Sequence, residues 1–138
     1  RDLARKSVEM LIVTGRIPQA SSELRNLLRE HPRFKEAQIL DAGLALASAD
    51  AGRTQAAESR IERLTAEHGS DWEVWFLLGQ ARLALKDFLA ARKAFTEAAR
   101  RDKTQVEPRL ALLHLALEEG RFADGLAEAG EILKYHPE

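Results

Sequence analysis

Histidines are the residues of this 138-residue chain best suited to bind a metal ion, and three of the four recur at regular intervals. His31, His68 and His136 are separated by 37 and 68 residues. Zinc needs ligand nitrogens that converge to about 2 Å from the ion, whereas residues that recur once per packed helical unit lie roughly 10 Å apart. We therefore interpret these histidines as residues at helix ends, where the helix dipole favours partial positive charge, and predict no metal site.

Carboxylates could serve acid–base catalysis if an apolar setting raised their pKa. Arginines lie close to several of them, as in Glu58-Ser59-Arg60 and Glu62-Arg63, and Glu128 and Glu131 form a further pair. This pattern is typical of an exposed, ion-paired helix face, so we expect no raised carboxyl pKa. The sequence has no cysteine, no nucleophile-elbow or phosphate-binding glycine pattern and no HExxH motif. We predict that the chain is not an enzyme and binds no cofactor.

Basic residues are densest at Arg100-Arg101-Asp102-Lys103, which lacks the interleaved aromatic side chains that stack on bases. The net charge of −1 gives no global attraction to nucleic acid or to anionic lipid. No run of about 18 apolar residues without a charge is present. We therefore predict neither nucleic-acid binding nor membrane insertion.

Glycines repeat the intervals of the histidines, because Gly15, Gly52 and Gly120 are also 37 and 68 residues apart. Sixty-eight is twice 34, and 37 is 34 plus three, so the sequence predicts four units of about 34 residues with one insertion of three. The predicted units are residues 1–34, 35–71, 72–105 and 106–138, together forming a single domain.

Each unit is predicted to form helix A at unit positions 2–14, a turn at position 15 and helix B at positions 18–30. Glycine at position 15 can adopt the left-handed conformation that ends a helix. Lys86 occupies this place in the third unit, which predicts a strained or differently shaped turn. The insertion is placed between Arg33 and Gln38, so helix A of the second unit is predicted to be about one turn longer.

Helix B of the aligned units shares columns of similar side chains. Position 20 is small in every unit, which lets two helices approach closely, and positions 17, 24 and 27 are largely apolar and lie on one helix face. These columns are Ile17, Thr54, Phe88 and Phe122; Ala20, Ala57, Ala91 and Gly125; Leu24, Ile61, Phe95 and Ala129; and Leu27, Leu64, Ala98 and Ile132.

The third unit resembles the tetratricopeptide repeat. Trp75-Phe76-Leu77-Leu78-Gly79, followed by Ala91, Phe95 and Ala98, matches that signature of Trp, Leu-Gly, Ala and Phe in spacing. Arg82 replaces its usual Tyr and Lys103 its usual Pro, while the Trp place holds Ala4, Asp41 and Arg109 in the other units. The resemblance implies an all-α, right-handed superhelical solenoid of about four antiparallel helix-turn-helix units, or about eight helices.

The resemblance also implies that helix A of each unit lines a concave groove. The predicted groove residues are Arg5, Glu9 and Ile12 in the first unit, Ala42, Leu46 and Asp50 in the second, Phe76, Gln80 and Leu83 in the third, and Leu110, His114 and Leu117 in the fourth. No asparagine lies among them, so a carboxylate clamp of the chaperone-binding type is not expected. An apolar stripe of this kind is expected to receive an amphipathic helix or an extended peptide. The alternative is that its apolar residues pack against neighbouring helices.

Charge alternates from unit to unit. Residues 1–34 have seven basic and four acidic side chains, net +3, and residues 106–138 have three and seven, net −4. The two units between them carry −3 and +3. These charges are interpreted either as solvated faces that help neighbouring units to choose register or as a match to a charged partner.

Two functions remain open at the level of sequence. The first is a protein–protein interaction scaffold, and the alternative is a spacer or regulatory arm that positions other domains of a larger enzyme or secretion assembly. The start, Arg1-Asp2-Leu3, lacks an initiator methionine, which favours a piece of a longer bacterial protein of unknown compartment, cytoplasmic or periplasmic. Ile132 and Leu133 are expected to be partly bare in the last unit, which favours a homodimer or a continuing array.

Overall fold

The described part of the computed structural model, residues 2–47 and 51–136, contains eight α-helices and no strand. The helices are α1 Asp2–Val13, α2 Ile17–Glu30, α3 Lys35–Ala47, α4 Ala51–Glu67, α5 Trp72–Ala84, α6 Phe88–Arg101, α7 Val106–Glu118 and α8 Phe122–Tyr135. The predicted all-α architecture is thus confirmed. The chain divides into two compact units, residues 1–53 and 54–138. Within the described ranges, no helix combines the length and the apolar character needed to cross a bilayer.

Three of the turns within repeats share one hydrogen-bonding pattern. In the first, the amide of Gly15 donates to the carbonyl of Ile12 at 3.0 Å, and the amide of Arg16 donates to that of Leu11 at 2.8 Å. The turns at Lys86 and Gly120 repeat both bonds, which together define a Schellman motif. Gly15 and Gly120 adopt φ of 79° and 74°, and Lys86 adopts 63°. Lys86 thus adopts a backbone conformation that non-glycine residues rarely adopt, and its turn keeps the common shape. Strain at Lys86 stays a prediction.

The second repeat differs from the prediction in the place of its insertion. Helix α3 has 13 residues, as α5 and α7 do, whereas α4 has 17 residues and α2, α6 and α8 have 14. Gly52 lies inside α4, so it does not end helix A as predicted. Extra helical residues therefore lie at the start of helix B, before Thr54, and the end of helix A after Ala47 lies outside the described residues.

Helix B supplies the predicted columns to the core of each compact unit. The small column is buried in all four repeats, since Ala20 and Ala91 are fully buried and Ala57 and Gly125 nearly so. In residues 1–53 one apolar cluster consists of Val8, Ala20, Leu24, Leu27, Phe34, Ala37 and Leu44. In residues 54–138 another consists of Ala91, Phe95, Leu112 and Leu115. Two kinds of exception occur. Phe88 and Phe122 at position 17 are 43% and 66% exposed, and Ala129 and Ile132, at positions 24 and 27 of the fourth repeat, are only half-buried.

The α5–α6 hairpin is held by an unusually close approach between its helices. A Cβ added at Gly79 would lie 2.5 Å from two ring atoms of Phe95, a separation that real side chains do not tolerate. Phe95 is 1% exposed, and its ring centroid lies 5.6 Å from that of Phe76. The indole nitrogen of Trp75 donates to the carbonyl of Gly69 at 2.9 Å, which ties α5 to the loop before it. Glycine at position 79 is thus a steric requirement.

The histidines at unit position 31 end helix B, as predicted. The amides of His31, His68 and His136 donate to the carbonyls of Leu27, Leu64 and Ile132, each at 2.8 Å. His136 also places its Nε2 atom 2.6 Å from the carbonyl oxygen of Thr104, in the loop between α6 and α7. In the part of the chain that the structure describes, no three His, Asp or Glu side chains form a group that could hold a metal ion.

Candidate protein-binding face

The predicted groove residues of the first repeat are only partly available at the surface. Arg5 and Glu9 lie one helical turn apart and form an ion pair of 3.7 Å, with their side chains 30% and 45% exposed. Ile12 is half-buried and packs against the apolar cluster of residues 1–53. An exposed ion pair next to a packed isoleucine leaves little apolar surface to a partner.

The second repeat needs a corrected alignment, because its helix A begins at Lys35. Ala42, predicted for the groove, is 1% exposed and takes the place of Gly79 in the third repeat. Leu46 is half-buried and moves to unit position 12, where it joins Ile12, Leu83 and Leu117 in one apolar column. Asp50 lies outside the described residues.

The corrected groove positions of α3 are occupied by Ile39 and Gly43, which were not among the predicted groove residues. Adding 34 to the numbers of Arg5 and Glu9 in the first repeat gives these two positions. An alignment that takes Gly52 as unit position 15 does not give them. With this alignment, unit position 5 reads Arg5, Ile39, Phe76 and Leu110, and position 9 reads Glu9, Gly43, Gln80 and His114.

Apolar residues at equivalent positions of the third and fourth repeats differ in burial. Phe76 and Leu83 on α5 are half-buried and pack against the cluster that includes Leu112 and Leu115 of α7. For these two residues the alternative interpretation, packing against neighbouring helices, is correct. On α7 the equivalent Leu110 and Leu117 are 40% and 48% exposed. Gln80 and His114, at unit position 9, are exposed as predicted.

We use the term α7 face for the exposed side chains of Glu107, Leu110, His114, Leu117 and Glu118. At 100° per residue these five span an arc of about 100° around the helix, so they point to one side. The arginine of α7, Arg109, is 8% exposed and turned towards α8, and α7 contains no lysine. The α7 face therefore combines two exposed leucines with two carboxylates and no arginine or lysine.

Arg109 occupies the Trp place of the fourth repeat and has a buried polar environment. Its Nη1 atom lies 3.7 Å from Glu128 and 4.0 Å from Glu131, both on α8. Its guanidinium carbon lies 5.6 Å from the ring centroid of Tyr135. The two glutamates thus pair across helices, and Glu128 is half-buried.

Burial raises the pKa of Glu128 above its ordinary value of 4.5, and the nearby Arg109 only partly offsets that effect. The expectation that no carboxyl has a raised pKa is therefore wrong. An arginine at the Trp place, with two glutamates 19 and 22 residues later, is the sequence signal that was missed.

In the third repeat, Arg82 occupies the position at which the tetratricopeptide signature has tyrosine, and like Arg109 it pairs with a glutamate of another helix. Its Nε atom lies 3.7 Å from Glu58 of α4, with both side chains about one-fifth exposed. The basic cluster after α6 is partly neutralised, since Arg100 and Arg101 pair with Glu97 at 2.7 and 3.3 Å. Arg101 also lies 5.6 Å from the ring centroid of Trp75. Arg100 and Arg101 thus contact their own repeat, which reduces the charge that they offer to a polyanion.

Comparisons with known proteins agree with this architecture. Residues 42–106 match a family described as tetratricopeptide repeat. A thermophilic tetratricopeptide-repeat protein of Thermus thermophilus has a TM-score of 0.84 at 18% identity, with 98% of this chain and 73% of that chain covered. MamA from Desulfovibrio magneticus RS-1 has a TM-score of 0.69 at 17% identity, with 96% and 71% covered.

A larger assembly also contains a similar fold. A chain of the Naa15/Naa10 complex bound to HypK-THB has a TM-score of 0.81 at 16% identity, and the match covers 99% of this chain but 20% of that one. No protein of curated function matches the sequence significantly. At such low identities the structural similarity establishes a shared fold.

Proposed function

We propose that this chain, a tetratricopeptide-repeat protein, is a protein–protein interaction scaffold, and that it binds a partner segment on the α7 face. The proposed role is binding rather than catalysis. The partner segment that suits this face is an amphipathic helix or an extended peptide with apolar and basic side chains.

A difference between equivalent residues supports this proposal most directly. Phe76 and Leu83 are half-buried against an apolar cluster of α6 and α7, whereas Leu110 and Leu117 at the same positions stay 40% and 48% exposed. Leucines exposed together on one helix face are unfavourable in water and are typical of contact surfaces. A partner that covers them gains hydrophobic free energy without any rearrangement of the core.

Charge determines which partner is favoured. Glu107 and Glu118 flank the two leucines, and α7 presents no exposed arginine or lysine. A segment with lysine or arginine beside its apolar residues would be attracted by these carboxylates, and an acidic segment would be repelled. We expect this charge preference to act on specificity and on the association rate more than on affinity alone.

Two synthetic peptides test the proposal, an amphipathic helix of leucine and lysine and its counterpart with glutamate at every lysine position. The fluorescence anisotropy of a labelled peptide measures the affinity. Both tryptophans of the chain, Trp72 and Trp75, lie on α5, so their fluorescence reports on the structure of the repeat next to the α7 face. The basic peptide should bind at least about tenfold more tightly than the acidic one. Leu110→Gln should weaken its binding by about tenfold, because the apolar contact is lost without a change of charge.

Leu126→Gln is the matched control, since Leu126 is 75% exposed on α8 and lies outside the α7 face. Its affinity for the basic peptide should equal that of the wild type. Equal binding of both peptides, or equal affinities of the Leu110→Gln variant and the wild type, would contradict the proposal. That result would favour the alternative of a spacer whose helix faces recognise no partner.

A further inference from the structure

The start of α6 exposes apolar and cationic side chains beside each other. Phe88 and Leu89 are 43% and 55% exposed. Arg92 and Lys93 follow one helical turn later, about 6 Å along the helix axis, and Lys93 is exposed while Arg92 is half-buried. At 100° per residue the four side chains fall within an arc of about 140°, so they share one side of the helix. We use the term α6 face for these four residues.

Comparison of the four repeats indicates that packing does not require these side chains. Unit positions 18 and 22 are exposed in every repeat, and the third repeat alone has a leucine at the first and a cation at the second. The residues in these two columns are Pro18, Gln55, Leu89 and Ala123, and Ser22, Ser59, Lys93 and Ala127. A leucine at a position that faces water in every repeat adds nothing to the core, and beside an exposed phenylalanine it is typical of a contact surface.

The cations of the α6 face differ from those further along the same helix. Arg100 and Arg101 pair with Glu97 at 2.7 and 3.3 Å, so their charge is partly neutralised. In the part of the chain that the structure describes, no carboxylate forms an ion pair with Arg92 or Lys93. The charge of these two side chains is therefore available to a partner.

The turn before α6 reinforces both properties of the face. Residues 85–93 have three basic side chains and one acidic side chain, net +2. Lys86 is exposed, and Leu85 is 37% exposed. The acidic residue is Asp87, whose carboxylate accepts a hydrogen bond from the amide of Ala90 at 3.2 Å and so caps the helix. The positive charge thus belongs to the same short segment as the exposed apolar residues.

We propose that the α6 face binds a second partner segment, one with apolar side chains at one end and acidic side chains about one helical turn away. The apolar end covers Phe88 and Leu89, and the carboxylates pair with Arg92 and Lys93. A basic segment is repelled by the same two cations. The α6 face lies on another helix than the α7 face and has the opposite charge, so this proposal does not depend on the binding function proposed above.

The two faces also differ in the arrangement of their apolar residues. Leu110 and Leu117 lie two helical turns apart, which suits an amphipathic helix with leucines along its whole length. Phe88 and Leu89 are consecutive, and the cations follow them along the axis. An amphipathic helix of leucine and glutamate therefore fits the α6 face poorly, and a peptide with separate apolar and acidic ends is the appropriate probe.

A labelled peptide with leucines at one end and glutamates one helical turn later tests the proposal. Its counterpart has glutamine at every glutamate position. The acidic peptide should bind at least about tenfold more tightly than the neutral one, as measured by fluorescence anisotropy. Its affinity should fall as the salt concentration rises from about 0.05 to about 0.5 M, because the unlike charges are screened.

Two substitutions test the two parts of the face. Leu89→Gln should weaken binding of the acidic peptide by about tenfold, and Lys93→Gln should weaken it by about threefold and make it less dependent on salt. Lys103→Gln is the control for charge, because Lys103 is exposed in the loop after α6. Leu126→Gln is the control for apolar surface, because Leu126 is exposed on α8. Both controls should bind as the wild type does, and circular dichroism verifies that every variant keeps its helices.

Three outcomes would overturn the proposal. Equal affinities of the acidic and neutral peptides would exclude the charge preference, and equal affinities of the Leu89→Gln variant and the wild type would exclude the apolar contact. A labelled oligothymidine that binds more tightly than the acidic peptide, and loses this affinity in the Lys93→Gln variant, would assign the cations to a polyanion. Failure of the leucine–lysine peptide to bind would contradict the function proposed for the α7 face alone, so the two proposals can fail separately.

Discussion

At the scale of single residues, the turn at Lys86 gives a direct comparison of lysine and glycine in one hydrogen-bonded framework. The same two backbone bonds form at Gly15, Lys86 and Gly120, so the three turns differ mainly in the side chain that adopts positive φ. A non-glycine residue in this conformation costs roughly 1 kcal/mol. We expect Lys86→Gly to raise the free energy of unfolding by up to about 1 kcal/mol, since the relief of strain exceeds the entropy that glycine adds to the unfolded chain.

The reverse change is Gly120→Ala, which should lower the free energy of unfolding by about 1 kcal/mol. An added Cβ at Gly120 would meet no atom within 4 Å, so the effect is one of backbone conformation alone. Urea denaturation followed by circular dichroism measures both changes. Equal stability of the Lys86→Gly variant and the wild type would show that the lysine is not strained.

The carboxyl of Glu128 makes stability depend on pH. Burial raises its folded-state pKa above the ordinary value of 4.5, so the fold favours the protonated form. This contribution is fully present below the unfolded pKa and is lost as the pH rises through the folded pKa. Relative to the wild type, Glu128→Gln should therefore gain stability between about pH 4 and about pH 7. A stability difference that stays constant between these two pH values would contradict this explanation.

A steric prediction concerns Gly79. Its α-hydrogen faces the ring of Phe95, where an added Cβ would lie 2.5 Å from two ring carbons. Gly79→Ala should destabilise the fold by about 1–3 kcal/mol, because a fully packed aromatic ring must move. Phe95→Leu in the same chain should reduce the cost of the alanine, which a double-mutant cycle measures. Additive effects of the two substitutions would show that the ring is not the obstacle.

At the scale of helices and turns, the sequence predicts the hairpins well because their signals are local. Turn glycines and a helix-ending proline mark boundaries within a few residues of most helices, and six of the described helices begin and end close to the predicted unit positions. The insertion was misplaced because three residues rotate a helix by about 300°, close to a full turn. An apolar pattern shifted by three residues therefore still resembles a buried face, and Gly52 gave a false reference point.

The two hairpins of residues 72–135 differ in how much of their second helix is buried. Helix α6 buries Ala91, Ala94, Phe95, Ala98 and Ala99, whereas α8 buries Gly125 alone. Local opening is easiest where few apolar contacts must break. The backbone amides of α8 should therefore exchange with deuterium faster than those of α6 in the dilute monomer. Equal protection of both helices would contradict this order.

At the scale of the whole molecule, the chain consists of two compact units, and the tryptophans report on one of them. Trp72 and Trp75 belong to residues 54–138, whereas Leu24 is fully buried in the cluster of residues 1–53. Leu24→Ala should cost about 2–5 kcal/mol in its own unit. We expect it to shift the denaturation curve measured by circular dichroism more than the curve measured by tryptophan fluorescence. Coincident shifts of both curves would show that the units unfold together.

The candidate binding face was predicted only in outline. Repetition alone indicates which helix positions are equivalent, and of the groove residues that the resemblance implies, Gln80, Leu110, His114 and Leu117 are exposed. Repetition does not indicate how tightly neighbouring helices pack, and this packing half-buries Phe76 while Leu110 stays exposed. Burial depends on contacts between repeats, which a comparison of aligned columns cannot measure.

The cation at the Trp place of α7 has a consequence for how repeats are recognised in sequences. Arg109 is accommodated by Glu128, Glu131 and Tyr135, all of them on the facing helix. The family match ends at residue 106, where this repeat begins, although the helical hairpin continues. The ion pairs of Arg109 thus join α7 to α8 in a repeat that lies beyond the family match.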